Sequence, residues 1–155
     1  MGDRNSTMTR EEKTLMQALS CVINTLPRAL DGDLRREQEL PLTEYFALAS
    51  LVDAKDRRVR MSELAARLSI TISGATRTVN RLESLGLVER ERSSSDGRGA
   101  DVVLTESGYE RLREAWPSHL ASARRRVLDH LSEDEVRILT RALGAISAAS
   151  GDGAD

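Results

Sequence analysis

The stretch that most constrains this chain runs from residue 62 to residue 105. Leu64, Ala65 and Leu68 mark a short helix, with Ser62 placed to cap it and Glu63 in the first turn, where negative charge suits the helix dipole. A three-residue turn, Ser69-Ile70-Thr71, follows. Thr71 can cap a longer helix with Ile72, Ala75, Val79, Leu82 and Leu85 on one face. Gly86 then stands where a left-handed residue ends a helix, with Leu87 as its apolar contact. Val88 to Arg92 and Ala100 to Thr105 alternate as strands around the small, polar link 93–99. Short helix, tight turn, longer helix and hairpin describe a helix-turn-helix with a wing.

The flanks are helical. Thr9-Arg10-Glu11-Glu12 is a capping box, and Leu15, Leu19, Val22, Leu26 and Leu30 form a stripe behind it. Pro27 is expected to kink this helix or divide it, and the polar stretch from Asp31 to Glu39 to follow it. Pro41 and Thr43 open a second helix through Tyr45, Phe46, Leu48 and Leu51, ending near the charged turn from Asp53 to Arg58. After the wing, Thr105 can cap a long helix, bent at Pro117, that carries Leu120, Ala123, Val127, Leu128 and Leu131. Ser132 to Glu135 is a second capping box, before Val136, Leu139, Leu143 and Ile146. The fold expected is mainly α with a small β-hairpin wing. A winged helix-turn-helix, residues 54–105, is joined to a helical lobe built from residues 9–53 and 106–150, with a disordered tail at 151–155. A small winged helix cannot cover the apolar faces of all the terminal helices. Either they pack within one chain or, as the natural inference, they form a homodimerisation lobe.

The formal net charge is −2, which speaks against a uniformly basic nucleic-acid binder. The mean conceals segregation. Residues 57–98 hold nine arginines and five acids, so the segment is +4 and the rest of the chain −6. On the longer helix of the helix-turn-helix the outward set is Ser73, Gly74, Thr76, Arg77, Asn80 and Arg81. Such a helix lies in the major groove of duplex DNA. There Arg77 can fork onto guanine and Asn80 can read adenine. Ser73 and Thr76 offer hydroxyls, Gly74 lets backbone approach, and Arg77 and Arg81 read equally as a solvent-facing pair. At the wing tip Arg98 suits the narrow minor groove, and Asp96 suits bracing the turn or orienting an arginine.

Thr71 through Gly108 resembles the MarR family of bacterial winged-helix regulators. The matching stretches are Leu64-Ala65 and Leu68, then T-R-x-V-x-R-L-E-x-L-G-L-V-E-R from Thr76 to Arg90. D-x-R at Asp96 to Arg98 and V-x-L-T-E-S-G from Val102 to Gly108 complete them. The helix order agrees over about residues 10–148. The resemblance implies a triangular homodimer on a pseudo-palindromic operator, with the helix 72–85 in the major groove and Arg98 in the minor groove. It implies a transcription factor, usually a repressor, often released by a small molecule bound between the two lobes. Tyr45, Phe46, Trp116 and His119 are candidates to line that site, or else core aromatics.

Other readings are narrower. A peroxide-sensing branch of the family uses a lone cysteine in the first helix, where Cys21 lies, but its supporting tyrosines are not matched around Arg35 and Arg36. One cysteine excludes an internal disulfide framework and fits a reducing, cytoplasmic setting. There is no apolar run of transmembrane length and no signal-peptide core. His119 and His130 have no ligand-spaced partners, so neither metal nor cofactor is expected. No nucleophile, base and orienter come together, so an enzyme is not expected. A DNA-independent interaction module built on a winged helix is the remaining alternative. It differs from a regulator in showing no salt-dependent binding to duplex DNA.

Overall fold

The computed structural model describes residues 7–92 and 99–151. The order is α1 (Arg10–Gln38), α2 (Leu42–Val52), β1 (Arg58–Arg60), α3 (Met61–Arg67), α4 (Ile72–Ser84), β2 (Val88–Arg92), β3 (Ala100–Leu104), α5 (Glu106–Arg126) and α6 (Glu133–Gly151). The strands form an antiparallel sheet in the order β1-β3-β2, with Val59 opposite Val102 and Arg90 opposite Val102 from the other side. This is the expected winged helix-turn-helix with helical flanks.

The chain divides into two compact units, Met1–His119 and Leu120–Asp155. In the first, one core joins Ala47, Leu48 and Leu51 of α2 to Leu64, Val79, Leu82, Val88, Val102 and Leu104. A second joins Leu34, Leu40, Leu42, Tyr45 and Ala115. In the second unit, α5 ends at Arg126 and a single 3-10 turn at Leu128–His130 leads to α6. There Ile138, Leu143 and Ile146 are exposed.

Local chemistry explains most boundaries. Thr9 and Glu12 close the capping box at the start of α1. Ser132 and Glu135 do the same for α6. At the end of α3 the Ile70 amide donates to the Ala65 carbonyl and the Ser69 amide to that of Ala66, with Ser69 left-handed at φ 53°. At the end of α4 the Leu87 amide donates to Leu82 and that of Gly86 to Glu83, with Gly86 at φ 70°. Both are Schellman closures. Thr105 links the wing to α5: its hydroxyl donates to the Gly86 carbonyl and accepts from the Gly108 amide.

Several expectations are corrected. Pro27 does not divide α1, which runs unbroken to Gln38. Ile23 and Pro27 are both exposed, so water can take up the carbonyl that proline leaves without a donor. The polar stretch is helical over residues 31–38, where Leu34 is buried and the charges pair along the helix, Arg35 with Asp31 at 2.6 Å and Arg36 with Asp33 at 2.5 Å. Ser62 lies inside α3; the cap position is Arg60, which makes no side-chain cap. Ile72 and Leu85, expected inward, are 60% and 56% exposed, because three residues, Ala75, Val79 and Leu82, span the width of the buried stripe. Val127, Leu128 and Leu131 lie beyond α5 rather than in it. The three-residue strand β1 was not anticipated; Arg-Val-Arg is too short to show alternation. Helix α6 includes Ser150 and Gly151, and the rest of the expected tail lies outside the described residues.

Two contacts give stability predictions. A Cβ on Gly108 would stand 2.0 Å from the Leu87 carbonyl oxygen and 2.7 Å from a Leu104 methyl. Gly108→Ala is expected to cost about 3 kcal/mol or more, since backbone cannot yield cheaply, measured by urea unfolding. The Asp31 carboxylate accepts from the Leu42 amide at 2.9 Å and so caps α2 from α1. Burial pulls the Asp31 pKa upward, but the Leu42 amide and the Arg35 guanidinium outweigh it and hold it below the ordinary value. Its contribution is therefore present at neutral pH and lost as pH falls through that lowered value. Asp31→Ala is expected to destabilise by about 1 kcal/mol at pH 7, with the difference from the parent chain shrinking in acid.

Candidate nucleic-acid interface

Helix α4 is positioned by its apolar side. Ala75, Val79 and Leu82 are fully buried, and the helix packs on α2, α3 and β2. Thr71 caps it by accepting from the Gly74 amide at 3.1 Å. The opposite side is open: Ser73, Arg77, Asn80 and Arg81 are exposed, and Gly74 and Thr76 half-buried. The structure thus brings all six expected α4 residues onto the side of the helix away from the core. Asp96 and Arg98 lie outside the described residues.

These six are not equivalent. Arg77 is exposed and makes no hydrogen bond or ion pair among the described residues. Arg81 is tied back to α2, its Nε 2.8 Å from Oε1 of Glu44, which is only 5% exposed. Burial raises the Glu44 pKa, against the opposing pull of Arg81, Arg35 and Arg111. The Thr76 hydroxyl donates to the Ile72 carbonyl at 2.8 Å, leaving its oxygen free only to accept. A Cβ on Gly74 would come within 3.3 Å of the Thr71 hydroxyl, so the glycine also makes room for its own helix cap.

Sequence reasoning did not single out Arg90. It stands on β2, two residues from buried Val88 and therefore on the same face of the strand. Its guanidinium donates to Oε2 of Glu83 at 3.1 Å, to the Thr76 carbonyl at 3.4 Å and to Oδ1 of Asn80. That alternation with Val88 was the available signal.

A cavity lies in the same unit. Tyr45, Phe46, Trp116 and His119 line one cavity of about 480 Å³, together with Ala49, Ser50, Asp53 and Arg67. Tyr45 is buried, while Phe46 and Trp116 are 42% and 53% exposed. The His119 ring lies 4.3 Å from that of Tyr45, and its buried Nδ1 has no hydrogen-bond partner. Burial lowers the His119 pKa, which favours the neutral ring, and raises that of Tyr45 to about 12. Arg67 at the rim is held by Glu63 at 2.7 Å and by the Ser50 carbonyl. Cys21 is exposed on α1. Among the described residues no three His, Cys, Asp or Glu side chains are grouped to hold a metal, and no helix is long and apolar enough to cross a membrane.

Comparison with known proteins agrees with this geometry. A model of the MarR family matches residues 38–99. The structure of Sco3205, a MarR family transcriptional regulator from Streptomyces coelicolor solved in complex with DNA, superposes with a TM-score of 0.86 at 33% identity, covering 96% of this chain and 92% of that one. AbsC, another MarR family transcriptional regulator from the same organism, gives 0.86 at 32% identity over 96% and 99%. The transcriptional repressor MprA of Escherichia coli is 35% identical over 82 residues, 53% of this chain and 47% of MprA, so the match spans about half of that relative's length. These relatives are regulators rather than enzymes. The winged helix, its flanking helices and these similarities together show that the chain belongs to the MarR family of transcriptional regulators.

Proposed function

We propose that this protein is a sequence-specific, double-stranded DNA-binding repressor that acts as a homodimer on a pseudo-palindromic operator in the cytoplasm. The observation that carries the reading is α4: a helix fixed by a fully buried face, presenting Ser73, Thr76, Arg77, Asn80 and Arg81 on the other. Such a helix fits the major groove, with Arg77 as the unencumbered guanidinium for a guanine edge. Arg98, by resemblance to the family's wing, takes the minor groove, with Asp96 bracing it. The complex of Sco3205 with DNA supports the reading by analogy.

The dimer is supported by exposed apolar residues on the terminal helices. Leu15, Met16, Val22 and Ile23 on α1 are half or more exposed, as is Ile138 on α6, where Leu143 and Ile146 are each 48% exposed. A second copy would remove these from water at about 25 cal/mol per Å². A small-molecule effector is assigned to the cavity at Tyr45, Phe46, Trp116 and His119, where the unpartnered His119 nitrogen offers a bond to a ligand. Redox control through Cys21 has exposure in its favour and nothing further.

Binding of the full chain to duplexes selected from a random pool, titrated with salt, tests the function. A steep salt slope with strong preference for the selected duplex over bulk DNA is expected. Absence of salt-dependent binding would identify an interaction module instead. Arg77→Ala and Arg98→Ala are each expected to weaken operator binding by about 1–3 kcal/mol with the dimer intact. For Arg77→Ala, preference should relax at one position per half-site; an equal loss on every sequence would make it a phosphate contact. Leu143→Glu is expected to give a monomer by light scattering and to abolish operator binding, whereas an unchanged dimer mass would place the interface elsewhere.

A further inference from the structure

The contacts of Arg90 fix more than the packing of a strand against a helix. Thr76, Asn80 and Glu83 fall on one stripe of α4, and the Arg90 guanidinium reaches all three from β2. Guanidinium has donors only, so the atom of the Asn80 amide that faces it must be the oxygen. The amide nitrogen, with its two hydrogens, therefore points away from Arg90, on a side chain that is exposed. Glu83, also engaged by Arg90, offsets its charge, so Arg90 itself is poorly suited to serve as a cation for phosphate.

We propose that Arg90 is a positioning residue that holds the Asn80 amide nitrogen-outward, so that Asn80 meets a base edge with its N–H donors foremost. The inference rests on the reading of α4 as the base-contacting helix. It fixes the orientation in which Asn80 meets a base. A two-bond contact with adenine needs the asparagine oxygen to accept from the adenine amino group while the nitrogen donates to N7. The oxygen keeps a second lone pair for such a contact, and the charge-assisted bond to the guanidinium, roughly twice as strong as a neutral one, holds it in place. The outward nitrogen matches acceptors in the major groove, N7 of adenine or guanine, guanine O6 or thymine O4. It also makes the wing strand part of sequence selection without touching a base.

The test uses the full chain in four forms: parent, Arg90→Met, Asn80→Ala and the double variant. Binding is measured on duplexes that vary each base pair of the selected half-site, at several salt concentrations. Both single variants are expected to relax preference at the same base-pair position by about tenfold, the double no more than either single, with the salt slope unchanged. In the DNA-free protein, the Asn80 side-chain amide should lose order in Arg90→Met by NMR relaxation, a readout independent of DNA binding. Should Arg90→Met fail to fold, Arg90→Lys keeps the charge but lacks the planar fork that holds the Asn80 oxygen, and is expected to relax the same position. A uniform loss on all duplexes with a shallower salt slope would make Arg90 a phosphate contact and overturn the proposal. So would relaxation in Asn80→Ala but not in Arg90→Met, or an Asn80 amide equally ordered in both proteins. A parent chain that discriminates among no duplexes, while its Asn80 amide still loosens in Arg90→Met, would refute base reading by α4 rather than the bracket.

Discussion

The burial of Ala75, Val79 and Leu82 against α2, α3 and β2 is the constraint from which the rest follows. Each of the two larger side chains contributes about 1.5–3 kcal/mol on leaving water, and all three have no exposure at all. Their spacing permits one rotation of α4 about its axis. That rotation decides which residues meet solvent, and so which can meet another molecule. The Thr71 cap and the Gly86 closure fix where the helix begins and ends; the buried stripe fixes which way it faces.

Charge is arranged around that helix less freely than a count suggests. The arginine-rich middle of the chain is +4, yet most of its guanidinium groups are engaged. Arg58 pairs with Glu91 and Asp101, Arg67 with Glu63, Arg81 with Glu44 and Arg90 with Glu83. Arg77 on α4, like Arg92 at the end of β2, has no such partner among the described residues. The basic character of the segment is thus partly a scaffold of ion pairs that hold helices and strands in register. Pairs exposed on both sides, such as Arg67 with Glu63, add little stability each; their effect is to set the direction in which a side chain points.

How much of this was legible in the sequence differs by element. The helix-turn-helix and wing were legible because the Thr71 cap, the spacing of Ala75, Val79 and Leu82 and the glycine at 86 agree, and each is a local signal. The failures have a common cause in partners that are distant or compensating. Residues 31–39 read as a polar stretch after the first helix until Asp31 and Arg35 are seen to pair and Asp31 to cap α2. Ile72 and Leu85 fit the helical period but lie past the edges of the buried patch. Strand β1 exists because β3 offers an edge for Val59 to join. At the candidate interface, which residues face outward could be read from period alone. Which of them are free could not: Glu44 and Arg90, the groups that restrain Arg81 and Asn80, come from other elements.

The central claim is that α4 reads duplex DNA, twice, across a two-fold axis. Hydroxyl-radical footprinting of the full chain on a selected duplex tests it most directly. The account predicts two protected patches on one face of the duplex, related by symmetry and centred about one helical turn, 10–10.5 bp, apart. A single unpaired patch, or protection that ignores sequence, would contradict it.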